Sequence, residues 1–164
     1  MKRVIIDGYN LVHMLGKALS PQTLSLVREK LEQKLHRYAA KHKTKVILVY
    51  DGQGVLGSSE KQGYLDIIFT ASGESADAYI KSLIDKAHSH NLLIVSSDRS
   101  IRDYARVSGL KSASSEEFLS WLSESEPKSK QAHGATASRK KHDEKKPATL
   151  SEHEVEEWKK LFGA

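Results

Sequence analysis

Short runs of β-branched and aliphatic residues alternate along most of this chain with segments of helical periodicity. The apolar runs fall at residues 4–6, 46–50, 65–69, 92–95 and 110–113. Between them, apolar residues recur every three or four positions, and the longest such segment follows Ser20-Pro21, a typical helix start. This alternation is typical of βαβ units, so it predicts an α/β fold with a mostly parallel sheet.

Aspartates stand at the ends of three of these predicted strands. Asp7 ends the first, Asp51 follows the second, and Asp98 follows the run at 92–95. Parallel strands bring their carboxyl ends to one edge of the sheet, where ligands bind, and Asp77 joins them from the start of a predicted helix. Gathered carboxylates repel one another unless a cation or a shared proton offsets the charge, and oxygen-only ligands favour Mg²⁺ or Mn²⁺. The sequence therefore predicts metal-assisted phosphate chemistry.

Each aspartate taken alone also has a purely structural interpretation. Asp77 lies in the first turn of a helix, where the helix dipole favours a carboxylate. Asp51 precedes Gly52 in a standard turn pair, and Asp98 is placed to cap the helix that follows it. Asp7 has the weakest such explanation, because it ends a buried strand. The coincidence of all of them is what favours a joint site.

Polar residues near these aspartates suit a phosphodiester substrate. In the segment SSDRSIRD, Ser97 offers a hydroxyl, Arg99 and Arg102 offer guanidinium groups for phosphates, and Asp103 adds a carboxylate. Alternatively, Arg102 and Asp103 form surface ion pairs of little energetic value. Asn10 is a candidate for orienting a water or a phosphate oxygen, or else for capping a helix or turn.

Several other functional classes are not supported by the sequence. The chain has no cysteine, which excludes disulfides, thiolate catalysis and Cys-ligated metals. It contains no phosphate-cradling glycine loop, no dinucleotide-binding glycine motif and no nucleophile elbow. It has no apolar run long enough to span a bilayer and no signal-peptide pattern at its start, so we expect a cytoplasmic protein without a membrane partner.

The end of the chain differs in composition from the rest. We predict a core domain over residues 1–125, a basic disordered linker over 126–148 and a short helix over 149–164. Residues 127–147 contain seven Lys or Arg and two acidic residues, a net charge of +5. This is typical of a nucleic-acid contact or of a solubilising linker. We expect the terminal helix to dock on the domain or on a partner.

Four segments, IIDGYNLVH, VYDGQG, GESADAYI and VSSDRSIRDYARVSG, together resemble the NYN-domain branch of the PIN-like nucleases, most closely its small bacterial YacP-like members. The resemblance covers about residues 1–122. It implies a PIN-like three-layer α/β/α fold and a divalent-metal-dependent endoribonuclease that leaves a 3′-hydroxyl and a 5′-phosphate. It also implies mRNA as substrate, in association with the ribosome. The basic tail, which lies outside the resemblance, is a candidate contact with the ribosome.

The resemblance also implies roles for particular residues. Asp7, Asp77 and Asp98 match the family's acids and are the predicted catalytic residues. Asp51 falls on an Asp-Gly pair typical of this branch, and Asp103 on an additional acid; both join the predicted metal ligands.

Two alternatives remain open. One is a non-catalytic RNA- or ribosome-binding module on the same fold. The other is a small-molecule phosphatase, which the first strand disfavours because Asp7 is not part of an Asp-x-Asp pair. The sequence predicts no oligomeric state.

Overall fold

Six strands and five helices make up the part of the chain that the structure, a computed structural model, describes: residues 1–15, 20–52, 57–87 and 91–124. The strands are β1 (Arg3–Asp7), β2 (Lys45–Tyr50), β3 (Ser58–Gln62), β4 (Leu65–Phe69), β5 (Leu92–Val95) and β6 (Lys111–Ala113). The helices are α1 (Gly8–Leu15), α2 (Pro21–His42), α3 (Ala76–Asp85), α4 (Arg99–Val107) and α5 (Ser115–Glu124). The linker and terminal helix predicted for 126–148 and 149–164 lie outside the described residues.

The strands form one sheet in the order β3-β4-β2-β1-β5-β6. All neighbouring pairs are parallel except β3 and β4. The chain moves outward from β1 to β2 and β4, and then returns to the other side of β1 to form β5. This reversal opens a crevice at the carboxyl ends of β1 and β5, which is where open α/β sheets bind their ligands.

Alternate residues of the central strand enter two separate cores. Val4 and Ile6 pack with α1, α2 and α5 on one face, whereas Ile5 packs with α3 and α4 on the other. Side chains alternate between faces along a strand, so two covered faces require apolar residues at successive positions. The predicted α/β fold, with a mostly parallel sheet and helices on both faces, is confirmed.

Two elements differ from the prediction. Ser58–Gln62, which contains none of the apolar runs, forms an additional edge strand antiparallel to β4. Its side chains are mostly exposed, so backbone pairing holds it rather than an apolar face. The second difference is α1, an additional helix that begins directly after Asp7.

Local capping signals explain where several helices begin and end. Ser114 and Glu117 bond reciprocally at the start of α5, as a capping box does. Gly109 has φ +75°, a left-handed conformation that suits glycine just after a helix. Within the described residues, no helix is both long and apolar enough to cross a membrane.

Candidate functional site

The half-buried Asp7 is held in place by the first turn of α1. The Asn10 side-chain amide donates to Asp7 Oδ2 at 2.7 Å, and the Asn10 backbone N–H donates to Asp7 Oδ1 at 3.3 Å. The same amide nitrogen reaches Ser96 Oγ at 3.1 Å. Asn10 therefore ties the end of β1 to the residue that follows β5.

Ser96 in turn organises the start of α4. Its buried hydroxyl accepts from the Asp98 backbone N–H at 3.0 Å, and its carbonyl accepts from Arg102 Nη1 at 3.4 Å. Asp98 caps α4 by accepting from the Ser100 N–H at 2.7 Å. The capping interpretation of Asp98 is thus correct, and it leaves the second carboxylate oxygen of Asp98 available to a ligand.

Asp51 and Asp77 approach from the other side of β1. Asp51 Oδ1 accepts a short hydrogen bond from the Ala76 backbone N–H, so this carboxylate anchors the start of α3. Asp77 is the next residue, and its Oδ2 lies 2.8 Å from Lys81 Nζ. Its Oδ1 is buried, and none of the described residues donates to it. An unsatisfied buried carboxylate oxygen is costly, so it marks a place where a cation or a donor would be stabilising.

The electrostatics of Asp7 reflect this crowding. Burial raises the pKa of the Asp7 carboxyl, the hydrogen bond from Asn10 lowers it, and the charges of Asp51, Asp77 and Asp98 raise it, with a net value of about 6. Asp7 therefore lies within the electrostatic field of the other three carboxylates. Excess negative charge of this kind is what a divalent cation offsets, so the donor set fits Mg²⁺ or Mn²⁺.

The four carboxylates influence one another electrostatically, but their side chains do not meet at one point. Across residues 1–15, 20–52, 57–87 and 91–124, no three His, Cys, Asp or Glu side chains are grouped closely enough to hold a metal ion. Asp51 and Asp98 accept hydrogen bonds from helix N-termini, and Asp77 pairs with Lys81. Binding a cation would require some of these contacts to exchange.

Two of the predicted site residues lie outside this group. Asp103 is flanked by Arg99 Nε at 3.4 Å and Arg106 Nη1 at 3.5 Å. This matches the surface ion-pair interpretation of Asp103 rather than a place beside the other carboxylates. Ser97 is exposed, and none of the hydrogen bonds described above involves it.

Ser96, which was not among the predicted site residues, is the serine that contacts both Asn10 and Asp98. Leu92 and Ile94 of β5 face the core shared with α3 and α4, whereas Val95 faces the opposite core. Continuing this alternation places Ser96 on the same face as Ile5 and Asp7. The alternation of side chains along β5 could therefore have predicted that Ser96 lies on the same face as Asp7.

Three aromatic side chains pack next to the backbone that follows Asp7. The Tyr50 ring packs edge-on against Tyr9, with ring centroids 5.0 Å apart, and stacks on Phe69 at 5.3 Å. It also covers Gly8, where a Cβ atom would overlap the ring. Gly8 thus lets the backbone after Asp7 pass directly over Tyr50.

The fold is a three-layer α/β domain with acidic residues at the carboxyl ends of its central strands. The chain belongs to the YacP-like NYN domain family, whose sequence model matches residues 4–163. NYN domains are generally nucleases, and NYN nucleases typically depend on divalent metals.

Individual relatives agree with this family. The chain is 32% identical over 87 residues to the uncharacterized protein YacP of Bacillus subtilis strain 168, an alignment that covers 51% of each chain, so it spans about half the length of that curated relative. Two crystal structures of Rae1 (YacP) from Bacillus subtilis are similar in fold. A point mutant matches with a TM-score of 0.64 and 23% identity over 76% of both chains. The other matches with a TM-score of 0.58 and 23% identity over 76% of this chain and 75% of that one.

Proposed function

We propose that this protein is a divalent-metal-dependent endoribonuclease in which Asp7, Asp77 and Asp98 are the catalytic carboxylates. The observation that carries the proposal is the state of Asp7. Its carboxyl is held by Asn10, and burial together with the charges of three further carboxylates raises its pKa to about 6. Membership in a family of nucleases supports a catalytic role for these carboxylates.

Asp7, Asp77 and Asp98 would hold the cation, and Asp51 would assist. When bound, Mg²⁺ or Mn²⁺ would supply a Lewis acid that activates water and offsets charge on the phosphoryl group. The unpartnered Oδ1 of Asp77 supports its inclusion in this set. Asp103 is left out of the set, because its carboxylate is already flanked by Arg99 and Arg106.

Basic side chains beside the carboxylates would position the RNA backbone. Arg102 Nη1 donates a hydrogen bond to the Ser96 carbonyl, which places the guanidinium group beside the crevice. Its remaining N–H groups can bind a phosphate. Arg99 is exposed at the start of α4, where the helix N-terminus also favours an anion. Asn10 would position Asp7 rather than bind substrate, since its amide hydrogens are directed to Asp7 and Ser96.

The proposed substrate is mRNA, cleaved in association with the ribosome to leave a 3′-hydroxyl and a 5′-phosphate. This part rests on the family resemblance and on the charge of +5 over residues 127–147. A basic segment increases the rate of encounter with a polyanion, and its contribution falls with added salt.

RNA cleavage with purified protein tests the catalytic proposal. Cleavage should require Mg²⁺ or Mn²⁺, stop with EDTA, and fall strongly in Asp7→Asn and Asp98→Asn. Asp85→Asn is a matched control, because Asp85 lies at the far end of α3 and bonds the exposed Tyr104 hydroxyl. Mapping of the product ends should give 5′-phosphates. Full activity of Asp7→Asn in a folded protein would disprove the catalytic assignment.

The ribosomal part requires a separate measurement. Replacing Lys140, Lys141, Lys145 and Lys146 by Gln in the full chain should reduce cosedimentation with ribosomes while cleavage of short naked RNA persists. Undiminished cosedimentation would disprove a role for the basic segment. Binding of RNA or ribosomes without cleavage under any metal condition would instead favour the non-catalytic RNA-binding module.

A further inference from the structure

An apolar groove lies between α2 and α5, on the face of the sheet opposite the candidate site. Leu31 and Leu122 belong to the buried core at this place, and Val27 and Leu119 pack against that core from the sides. Leu15, at the end of α1, borders the groove and is 48% exposed. The volume is about 270 Å³, slightly below the roughly 300–1,000 Å³ of small-molecule sites, so it suits a few inserted side chains better than a cofactor.

Cationic side chains border this apolar floor. Lys30 and Lys34 both line the groove and lie one helical turn apart on α2. Leu26, one turn before Lys30, is 58% exposed and extends the apolar surface beyond the groove. A matching occupant would therefore present an apolar stripe beside acidic residues.

We propose that this groove binds the chain's own C-terminal segment, residues 150–163. In that segment Val155, Trp158 and Phe162 recur at spacings of three and four, which on a helix forms one apolar stripe. Glu154 and Glu157 precede the first two of these residues by one position each, so they lie together along one flank of the stripe.

The charges of the two surfaces are complementary. The segment contains four glutamates and two lysines, a net charge of −2, although the chain as a whole carries +5. An acidic flank beside Val155 and Trp158 would lie against Lys30 and Lys34 when the apolar stripe enters the groove. Complementary charge of this kind fixes orientation and register more than it adds affinity.

The attachment point makes the contact intramolecular. The groove is lined by α5 itself, and 25 residues separate Glu124, the last residue of α5, from Leu150, the first of the segment. These 25 residues span at most about 80–90 Å, which far exceeds the distance to a groove on the adjoining helix. Tethering at such short range gives an effective concentration of about millimolar order, so weak contacts suffice for docking.

Docking would change the arrangement of the basic stretch. Residues 127–147 would become a loop fixed to the domain at both ends rather than a tail with one attached end. The proposal does not depend on the nuclease activity, and its test does not use that activity.

Fluorine NMR on the full-length protein provides the test, because the chain has only two tryptophans, Trp121 and Trp158. Both are replaced biosynthetically by 5-fluorotryptophan, and Trp158→Phe identifies the two resonances. A synthetic peptide of residues 149–164, labelled in the same way, gives the position of the undocked indole. We expect the Trp158 resonance of the full chain to be displaced from the peptide position.

Charge reversal then tests the groove itself. Lys30→Glu should move the Trp158 resonance toward the peptide position, and adding Glu157→Lys should restore the displacement. Leu15→Glu should act like Lys30→Glu, because it places a carboxylate at an exposed edge of the groove. Lys61→Glu, on the exposed face of β3, is the matched control and should have no effect. An unchanged Trp121 resonance shows that each variant retains its fold.

Three results would overturn the proposal. The first is a Trp158 resonance that coincides with that of the peptide in the wild-type chain. The second is a displacement that neither Lys30→Glu nor Leu15→Glu alters, which would place the segment elsewhere. The third is a displacement that grows with protein concentration, which would make a second copy of the chain the occupant.

Discussion

The Asn10 amide nitrogen lies 2.7 Å from Asp7 Oδ2, and the same nitrogen contacts the Ser96 hydroxyl at 3.1 Å. One side chain thus joins the ends of β1 and β5, the two strands between which the sheet reverses direction. Because Ser96 also accepts from the Asp98 N–H, the positions of Asp7 and Asp98 are coupled through two polar residues.

Removing either linking residue should lower activity without abolishing the fold. We expect Asn10→Ala and Ser96→Ala to reduce kcat for RNA cleavage about 10- to 100-fold, as is typical for groups that orient metal ligands. The loss of a partner for buried groups should also cost about 1–3 kcal/mol of the free energy of unfolding. The measurements are steady-state cleavage rates and urea unfolding. Ser97→Ala is the control, since Ser97 is exposed; an equal loss in that variant would contradict the role given to Ser96.

Neutralising Asp7 should stabilise the metal-free protein at neutral pH. The pKa of Asp7 rises from 3.8 to about 6 on folding, so its contribution to stability is greatest below pH 3.8 and is lost as the pH rises through 6. In EDTA at pH 7.5, Asp7→Asn should therefore gain up to about 3 kcal/mol over wild type. Thermal unfolding at pH 7.5 and pH 4 measures this difference, which should nearly vanish at pH 4. A gain of the same size at both pH values would contradict the electrostatic explanation.

The apolar runs predicted all five of the parallel strands, because buried strands need consecutive apolar residues and leave a clear signal. They did not predict β3, since its SSEKQ sequence has no apolar face and is held by pairing with β4. They also did not predict α1. That helix has only eight residues and begins with Gly8, and its cap is Asp7, a residue of the candidate site.

The part of the candidate site that lies at strand ends could be predicted from the sequence. The positions of Asp7, Asp51 and Asp98 follow from the parallel sheet, and Asp77 follows from the helix start that Ser75 caps. The neighbours of the Asp103 side chain depend instead on its position around the axis of α4. Its spacing of four from Arg99 and three from Arg106 predicts neighbouring side chains on one helix face, and these contacts are present. The hydrogen bond between Asn10 and Ser96 could not be predicted, because it joins residues 86 positions apart.

Lys81 should compete weakly with a divalent cation for Asp77. Its ammonium lies 2.8 Å from Asp77 Oδ2, and both side chains are about one-third exposed. Exposed pairs of this kind contribute about 0.2–1 kcal/mol, so Lys81→Gln should strengthen Mn²⁺ binding only about 1.4- to five-fold. Titration with Mn²⁺ followed by electron paramagnetic resonance measures this affinity. Lys86→Gln, just beyond the end of α3, controls for net charge; weaker Mn²⁺ binding in Lys81→Gln would show that Lys81 supports the site instead.

Adding one methyl group at Gly8 should disturb both the fold and the site. A Cβ atom there would overlap the Tyr50 ring, which cannot move because Tyr9 and Phe69 pack against it. We expect Gly8→Ala to cost about 1–3 kcal/mol, the usual range for overpacking a core, and to lower cleavage because Gly8 directly follows Asp7. Urea unfolding of Gly8→Ala, Tyr50→Val and the double variant measures the coupling. The double variant should be more stable than the sum of the single effects predicts, and simple additivity would show that the two residues do not clash.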